Sequence, residues 1–193
     1  VSTLPWHRPA WTRLLDAYHG GRLPHALLLS GPDGIGLGEF ASATAAALLC
    51  DHPGDALSPC GGCRACILVR AGNHPDILRV WPEEPGKQIR VEEVRDLIGF
   101  MQLSSQSGRH KIAIVDPAEA LNRSASNTLL KTLEEPPAGS LLILSCHQPG
   151  RLPVTVRSRC QQLEIHGDGS PATVTWLQLR LGVDTETATA LLV

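Results

Sequence analysis

Aromatic residues are scarce in this sequence, with two Phe, one Tyr and four Trp among 193 residues. Surfaces that hold single-stranded nucleic acid stack bases on exposed rings inside a positively charged groove. The charge is missing too: 17 Lys and Arg stand against 19 Asp and Glu, a net charge of -2, with both signs mixed along the chain. An independent nucleic-acid binder is therefore disfavoured, and any DNA contact would be local or shared with partners. There is no apolar run long enough to cross a bilayer and no cleavable signal pattern at the start, so the chain reads as soluble and cytoplasmic. Internal repeats and low-complexity tracts are also lacking. The sequence begins on Val1 rather than Met and ends on Ala-Leu-Leu-Val within an apolar helical pattern, as expected of a truncated or proteolytic piece.

What is present alternates between β-rich runs and helical stretches. The run Ala26 to Ser30 (ALLLS) ends in a glycine-rich loop, Gly31 to Gly38, and a helical stretch follows from Glu39 to about Cys50. A strand is expected at Asp76 to Val80, then a helix from Val91 to Leu103 with Val91, Val94, Leu97, Ile98 and Met101 on one stripe. A third strand is expected from Lys111 to Asp116. Ser124 or Ser126 caps a helix that Pro136 and Pro137 terminate beyond Glu135. Ser140 to Cys146 (SLLILSC) is apolar almost throughout. Strands apolar on both faces belong to a parallel sheet covered by helices on each side, which predicts a three-layer α/β/α sandwich. From about Gly167 a GDGSP linker gives way to two helical patterns, Ala172 to Leu181 and Thr185 to Val193.

The glycine-rich loop has the frame of a phosphate-binding loop, Gly31-Pro-Asp-Gly-Ile-Gly36, without its chemistry. Such a loop needs a Lys to reach the β- and γ-phosphates and a Ser or Thr to hold magnesium. Leu37 stands in the first position and Gly38 in the second. Since phosphoryl transfer rests on that electrostatic positioning, no ATP hydrolysis is expected here. Taken alone the frame is equally a glycine-rich turn between strand and helix. The strand Ile112 to Asp116 has the form of a Walker B strand ending in an acid, yet Pro117 follows where a catalytic glutamate belongs; an acid at a strand end also caps turns.

Cys60, Cys63 and Cys66 follow a C-x2-C-x2-C spacing, with Cys50 ten residues earlier. Four thiolates close a tetrahedral zinc site and leave no position for water, which marks a structural metal. The alternatives are a cluster of reduced, oxidation-prone thiols or a nucleic-acid zinc ribbon, for which only Arg64 and Arg70 supply charge. Cys146 and Cys160 read as core residues. Ser158-Arg159-Cys160 lies in the return to a last strand, and an arginine there is either solvated or free to reach a neighbouring molecule.

The segments GRLPHALLLSGP, SGRHKIAIVDPAEALNRSASNTLLKTLEEPP and LPVTVRSRCQQLEI, together with the four cysteines, resemble the clamp-loader branch of AAA+ proteins over nearly the whole chain. The resemblance implies an AAA+ domain over residues 1–167 with a zinc-binding insertion at about 50–66. It also implies the start of a helical lid at 168–193 and a collar domain that these residues do not include. It makes Arg159, within Ser158-Arg159-Cys160, an arginine finger acting in trans, and places Ser145 at the sensor 1 position. Leu37 and Gly38 depart from the ATP-hydrolysing tau/gamma subunits of the branch and select a non-hydrolysing subunit of the bacterial DNA polymerase III loader. The alternative is a tau/gamma-type ATPase whose loop binds nucleotide by an unusual route. Implied partners are the tau/gamma and delta subunits, the beta sliding clamp and primer–template DNA. Such a subunit serves the nucleotidyl-transferring holoenzyme without hydrolysing ATP itself.

Overall fold

The computed structural model describes residues 3–190. Five strands form one parallel sheet in the order β2-β3-β4-β1-β5, with β1 at Ala26–Ser30, β2 at Ile77–Val80, β3 at Lys111–Val115, β4 at Ser140–Cys146 and β5 at Gln161–Glu164. Every residue of β1, β3 and β4 is buried, which is why these three read as unbroken apolar runs. Alternation along them divides the interior in two. Leu27, Leu29, Ile112, Ile114, Leu141 and Ile143 face one core, shared with α1 (Arg8–His19) and α2 (Leu37–Leu49). Ala26, Leu28, Ala113, Val115, Leu142 and Leu144 face the other, shared with α4 (Val91–Gln102), α5 (Arg123–Glu134) and α6 (Val154–Arg157). The expected three-layer sandwich is the fold observed.

Helix α2 carries Ala41, Ala43, Ala45, Ala46 and Ala47, all buried, so its backbone lies close to the sheet. It starts at Leu37, two residues before the expected Glu39, because Gly36 already sits in the left-handed region (φ 86°) as its N-cap. Helix α5 is capped by neither Ser124 nor Ser126: the Asn122 side chain, on extended backbone, accepts the Ala125 N–H at 2.8 Å. Three α-helices escaped the sequence reading: α1, which carries Pro9 in its first turn, the short α3 (Arg64–Arg70) within the cysteine-rich insertion, and α6. The last two helices are α7 (Pro171–Leu181) and α8 (Thr185–Ala190). The remainder of the expected 185–193 helix lies outside the described residues.

At the start of β2 and β3 the sheet is held by a buried ion pair. Lys111 Nζ lies 3.1 Å from Asp76 Oδ1, with the two side chains 5% and 0% exposed. Asp76 also accepts the N–H groups of Gln106 (2.9 Å) and Ser107 (2.8 Å) and the Ser105 hydroxyl (3.0 Å). The ammonium of Lys111 sits 4.4 Å from the centroid of the Phe100 ring. Asp76 was expected to begin the strand, but its role is to tie the loop over residues 105–107 to the end of the sheet.

Candidate functional site: a degenerate phosphate loop, a cysteine cluster and an exposed arginine

The glycine loop emerges from the C-terminal end of β1, at the crevice where ligands of open parallel sheets sit. No side chain fits at Gly31, because the Ile165 carbonyl lies against its Cα. The loop is gripped from the N-terminal segment: the Trp6 indole N–H donates to the Ile35 carbonyl at 2.8 Å, and His7 Nε2 donates to the same oxygen at 3.1 Å. His7 Nδ1 accepts the Leu4 N–H at 3.2 Å, which fixes the neutral tautomer, and burial lowers the His7 pKa further. A Cβ on Gly36 would meet the Leu4 and His7 side chains.

Leu37, in the lysine position, is 1% exposed and belongs to the same core as Phe40 and Trp6. A Cβ on Gly38 would lie 2.9 Å from Asp116 Oδ2, so the carboxylate occupies the space a magnesium-holding hydroxyl would need. Burial raises the Asp116 pKa, and Glu119 and Glu39 push the same way. The cavity beside the loop, about 1060 Å³, is lined by Gly36, Leu37, Gly38, Asp116, Trp176 and Arg180, among others. Arg79, another lining residue, is engaged by the Ser42 hydroxyl at 3.0 Å. Neither Arg79 nor Arg180 was singled out in the sequence, since both lie far from the loop. Ser145 lies opposite Leu29 on the neighbouring strand, and its buried hydroxyl has no protein partner among the described residues.

Cys50, at the C-terminal end of α2, meets Cys60, Cys63 and Cys66 of the insertion with all four sulfurs within 4.8 Å of one another. Sulfurs bound at about 2.3 Å to a central tetrahedral zinc are about 3.8 Å apart; those of Cys50 and Cys63 are 3.9 Å apart. Backbone N–H groups point at the sulfurs, Cys60 N–H to Cys50 Sγ at 3.3 Å, Cys63 N–H to Cys60 Sγ at 3.4 Å and Cys66 N–H to Cys63 Sγ at 3.4 Å. The N–H groups of Cys63 and Gly62 bring the Cys60 thiol down to about 6, whereas burial drives Cys66 up to about 12. The geometry fits a metal ion held by four sulfurs. Cys146 and Cys160 are buried in the second core, away from this cluster, as expected.

The segment around Arg159 divides its labour by residue. Cys160 is buried and its thiol donates to the Val156 carbonyl at 3.3 Å, while Ser158 ends α6 and its hydroxyl donates to the Thr155 carbonyl at 3.3 Å. Arg159 faces outward between them. Strand β5 pairs Gln161 with Leu27 and Glu164 with Ser30. Arg159 therefore lies at the end of the sheet opposite the chain's own glycine loop. Its Nη2 lies 2.6 Å from Glu134 Oε1 and its Nη1 donates to the Thr155 carbonyl at 3.0 Å. Glu134 had no role in the sequence reading; the two residues are 25 positions apart and no local pattern joins them.

A family model described as DNA polymerase III, delta subunit, matches residues 6–168. The chain is similar to the DNA polymerase III subunit delta' of Pseudomonas aeruginosa, 46% identical over 90% of this chain and 52% of that protein. It is similar to that of Escherichia coli as well, at 38% identity over 90% and 52%. The DNA polymerase III subunit tau of Escherichia coli is 36% identical over 80% of this chain and 23% of its own length. The chain thus spans about half the length of the delta' relatives it matches. In fold it is similar to a DNA polymerase III gamma subunit-related protein of Thermotoga maritima, with a TM-score of 0.60 at 18% identity, covering 92% of this chain and 56% of that one. The RuvB Holliday junction branch migration motor of the same organism gives 0.57 at 16%, covering 95% and 53%.

Proposed function

The chain belongs to the DNA polymerase III delta subunit family, and from that premise we propose that it is the N-terminal part of a delta' subunit, a non-hydrolysing member of the bacterial clamp loader. In that reading residues 1–167 form the AAA+ domain and residues 168–193 begin the helical lid. The observation that carries the reading is the loop itself: Leu37, buried in the core, supplies no ammonium for phosphate, and Gly38, against the Asp116 carboxylate, supplies no hydroxyl for magnesium. The delta' relatives support the choice over a tau/gamma-type ATPase, being similar over more of the chain than the tau subunits are.

The subunit acts on a neighbour's nucleotide rather than its own. Arg159, carried at the end of the sheet away from the degenerate loop, is the arginine finger. It places a guanidinium against charge that builds on the γ-phosphate of the adjacent tau/gamma subunit, with Ser158 and Cys160 fixing the backbone that presents it. The delta subunit, the beta sliding clamp and primer–template DNA are partners of the assembled complex, in the cytoplasm. Cys50, Cys60, Cys63 and Cys66 would hold a zinc ion, whose contribution is a closed structural cross-link between the end of α2 and the insertion.

The test is ATP hydrolysis, stimulated by clamp and primed DNA, in a loader rebuilt with the full-length protein carrying Arg159→Ala. A fall of at least tenfold in the turnover that depends on this interface, with the complex still assembled, is expected, since fingers of this kind contribute on the order of 10³ to 10⁵ in rate. An unchanged rate makes Arg159 a surface arginine and removes the mechanism.

A further inference from the structure

An acid in the last turn of a helix opposes the helix dipole, and Glu134 is the last residue of α5. Helix stability gives no reason for a carboxylate there. What Glu134 does have is Arg159: its Oε1 lies 2.6 Å from Nη2, across two elements that meet only in the folded chain. The Arg159 side chain is folded back over α6, with Nη1 donating to the carbonyl of Thr155 four residues earlier. Two of the five N–H donors of the guanidinium are therefore held by its own subunit, and its charge is balanced by a carboxylate.

A guanidinium in this state is a poor finger. Its effect on a transferring phosphoryl group depends on positive charge aimed where negative charge develops, and an adjacent carboxylate cancels that charge. We propose that Glu134 is a positioning residue that stores Arg159 in a retracted, neutralised arrangement and competes with the neighbouring γ-phosphate for it. Both side chains are partly exposed, 36% for Arg159 and 53% for Glu134. An exposed pair of this kind is weak enough to be exchanged for a phosphate in a water-poor interface. The inference rests on the reading of Arg159 as a finger and adds a check on when that finger is delivered.

The experiment measures ATP turnover by the loader rebuilt with full-length protein, without clamp or DNA, for Glu134→Gln, Glu134→Asp, Arg159→Ala and Glu134→Gln with Arg159→Ala. Glu134→Gln is expected to raise kcat about two- to fivefold, the range an exposed ion pair can supply, with KM for ATP unchanged. Glu134→Asp, which keeps the charge, is expected to stay near native. In the Arg159→Ala background Glu134→Gln is expected to do nothing. An unchanged or lowered rate in Glu134→Gln overturns the storage role, as does an increase that persists without Arg159. Should Arg159→Ala itself leave turnover at the native value, the finger reading falls first and storage falls with it.

Discussion

Asp76 is fully buried and yet stays ionised. Burial alone pushes its pKa up, but the Gln106 and Ser107 N–H groups, together with Ser107 and the Lys111 ammonium, hold it well below the usual carboxylate range. A depressed folded-state pKa supplies stability that is complete above the unfolded value, about 3.9, and is lost as pH falls below it. Asp76→Asn is therefore expected to flatten the dependence of stability on pH between about 5 and 3, read as the urea midpoint at each pH. Removing the carboxylate altogether strands the Lys111 ammonium in the interior. Asp76→Ala is expected to cost about 3–5 kcal/mol, and adding Lys111→Met to restore part of it. A midpoint unmoved by Asp76→Ala would show that the loop of residues 105–107 does not depend on this pair.

The cysteine-rich insertion is tied to the body at points that do not involve sulfur. The Trp11 indole N–H donates to the Ala56 carbonyl at 3.0 Å, and Arg109 Nη2 donates to the Asp51 carbonyl at 3.1 Å. Leu57 is buried in the first core in spite of its left-handed backbone, φ 52°. None of the four cysteines of the cluster lies within a strand. Removing metal with a chelator is thus expected to raise amide hydrogen exchange across residues 51–70 while β1, β3 and β4 keep their protection; loss of protection in the strands would make the metal part of the global fold. The same contrast governs what could be read in advance. Strand β4 was legible from Ser140 to Cys146 because both faces are buried and every side chain is apolar or small. The four cysteines were legible because their spacing carries the ligand geometry. Helix α1 was overlooked although Ala10, Trp11, Leu14, Leu15 and Tyr18 recur at helical spacing along it and pack on the first core. The cap of α5 was misassigned because Asn122, Ser124 and Ser126 are all capping residue types, and only the extended backbone at Asn122 decides among them. Arg79, Arg180 and Glu134 had no local signal, since each gains its meaning from a partner distant in sequence.

Across the whole molecule the degenerate loop is held from three directions. Trp6 and His7 grip Ile35, the Ile165 carbonyl closes on Gly31, and Asp116 closes on Gly38. The N-terminal segment also meets α7, with the Trp6 and Trp176 ring centroids 5.2 Å apart, edge to face. Restoring the two missing side chains does not restore this site. Leu37→Lys combined with Gly38→Thr is expected to show no saturable binding of magnesium–ATP by titration calorimetry, because the lysine would start from a buried position and the threonine would meet Asp116. Saturable binding by that double variant would mean that the site lacks only two side chains. The opposition of loop and arginine along the parallel sheet bears on assembly. Subunits joined finger to loop, as proposed above, would stack head to tail, and such an arrangement has a direction. Under the role proposed for Arg159, a member whose own loop lacks the lysine and the hydroxyl would complete a neighbour's reaction centre on one flank and found none of its own. On that proposal it would have a single address in the arc and give an otherwise repetitive ring a beginning.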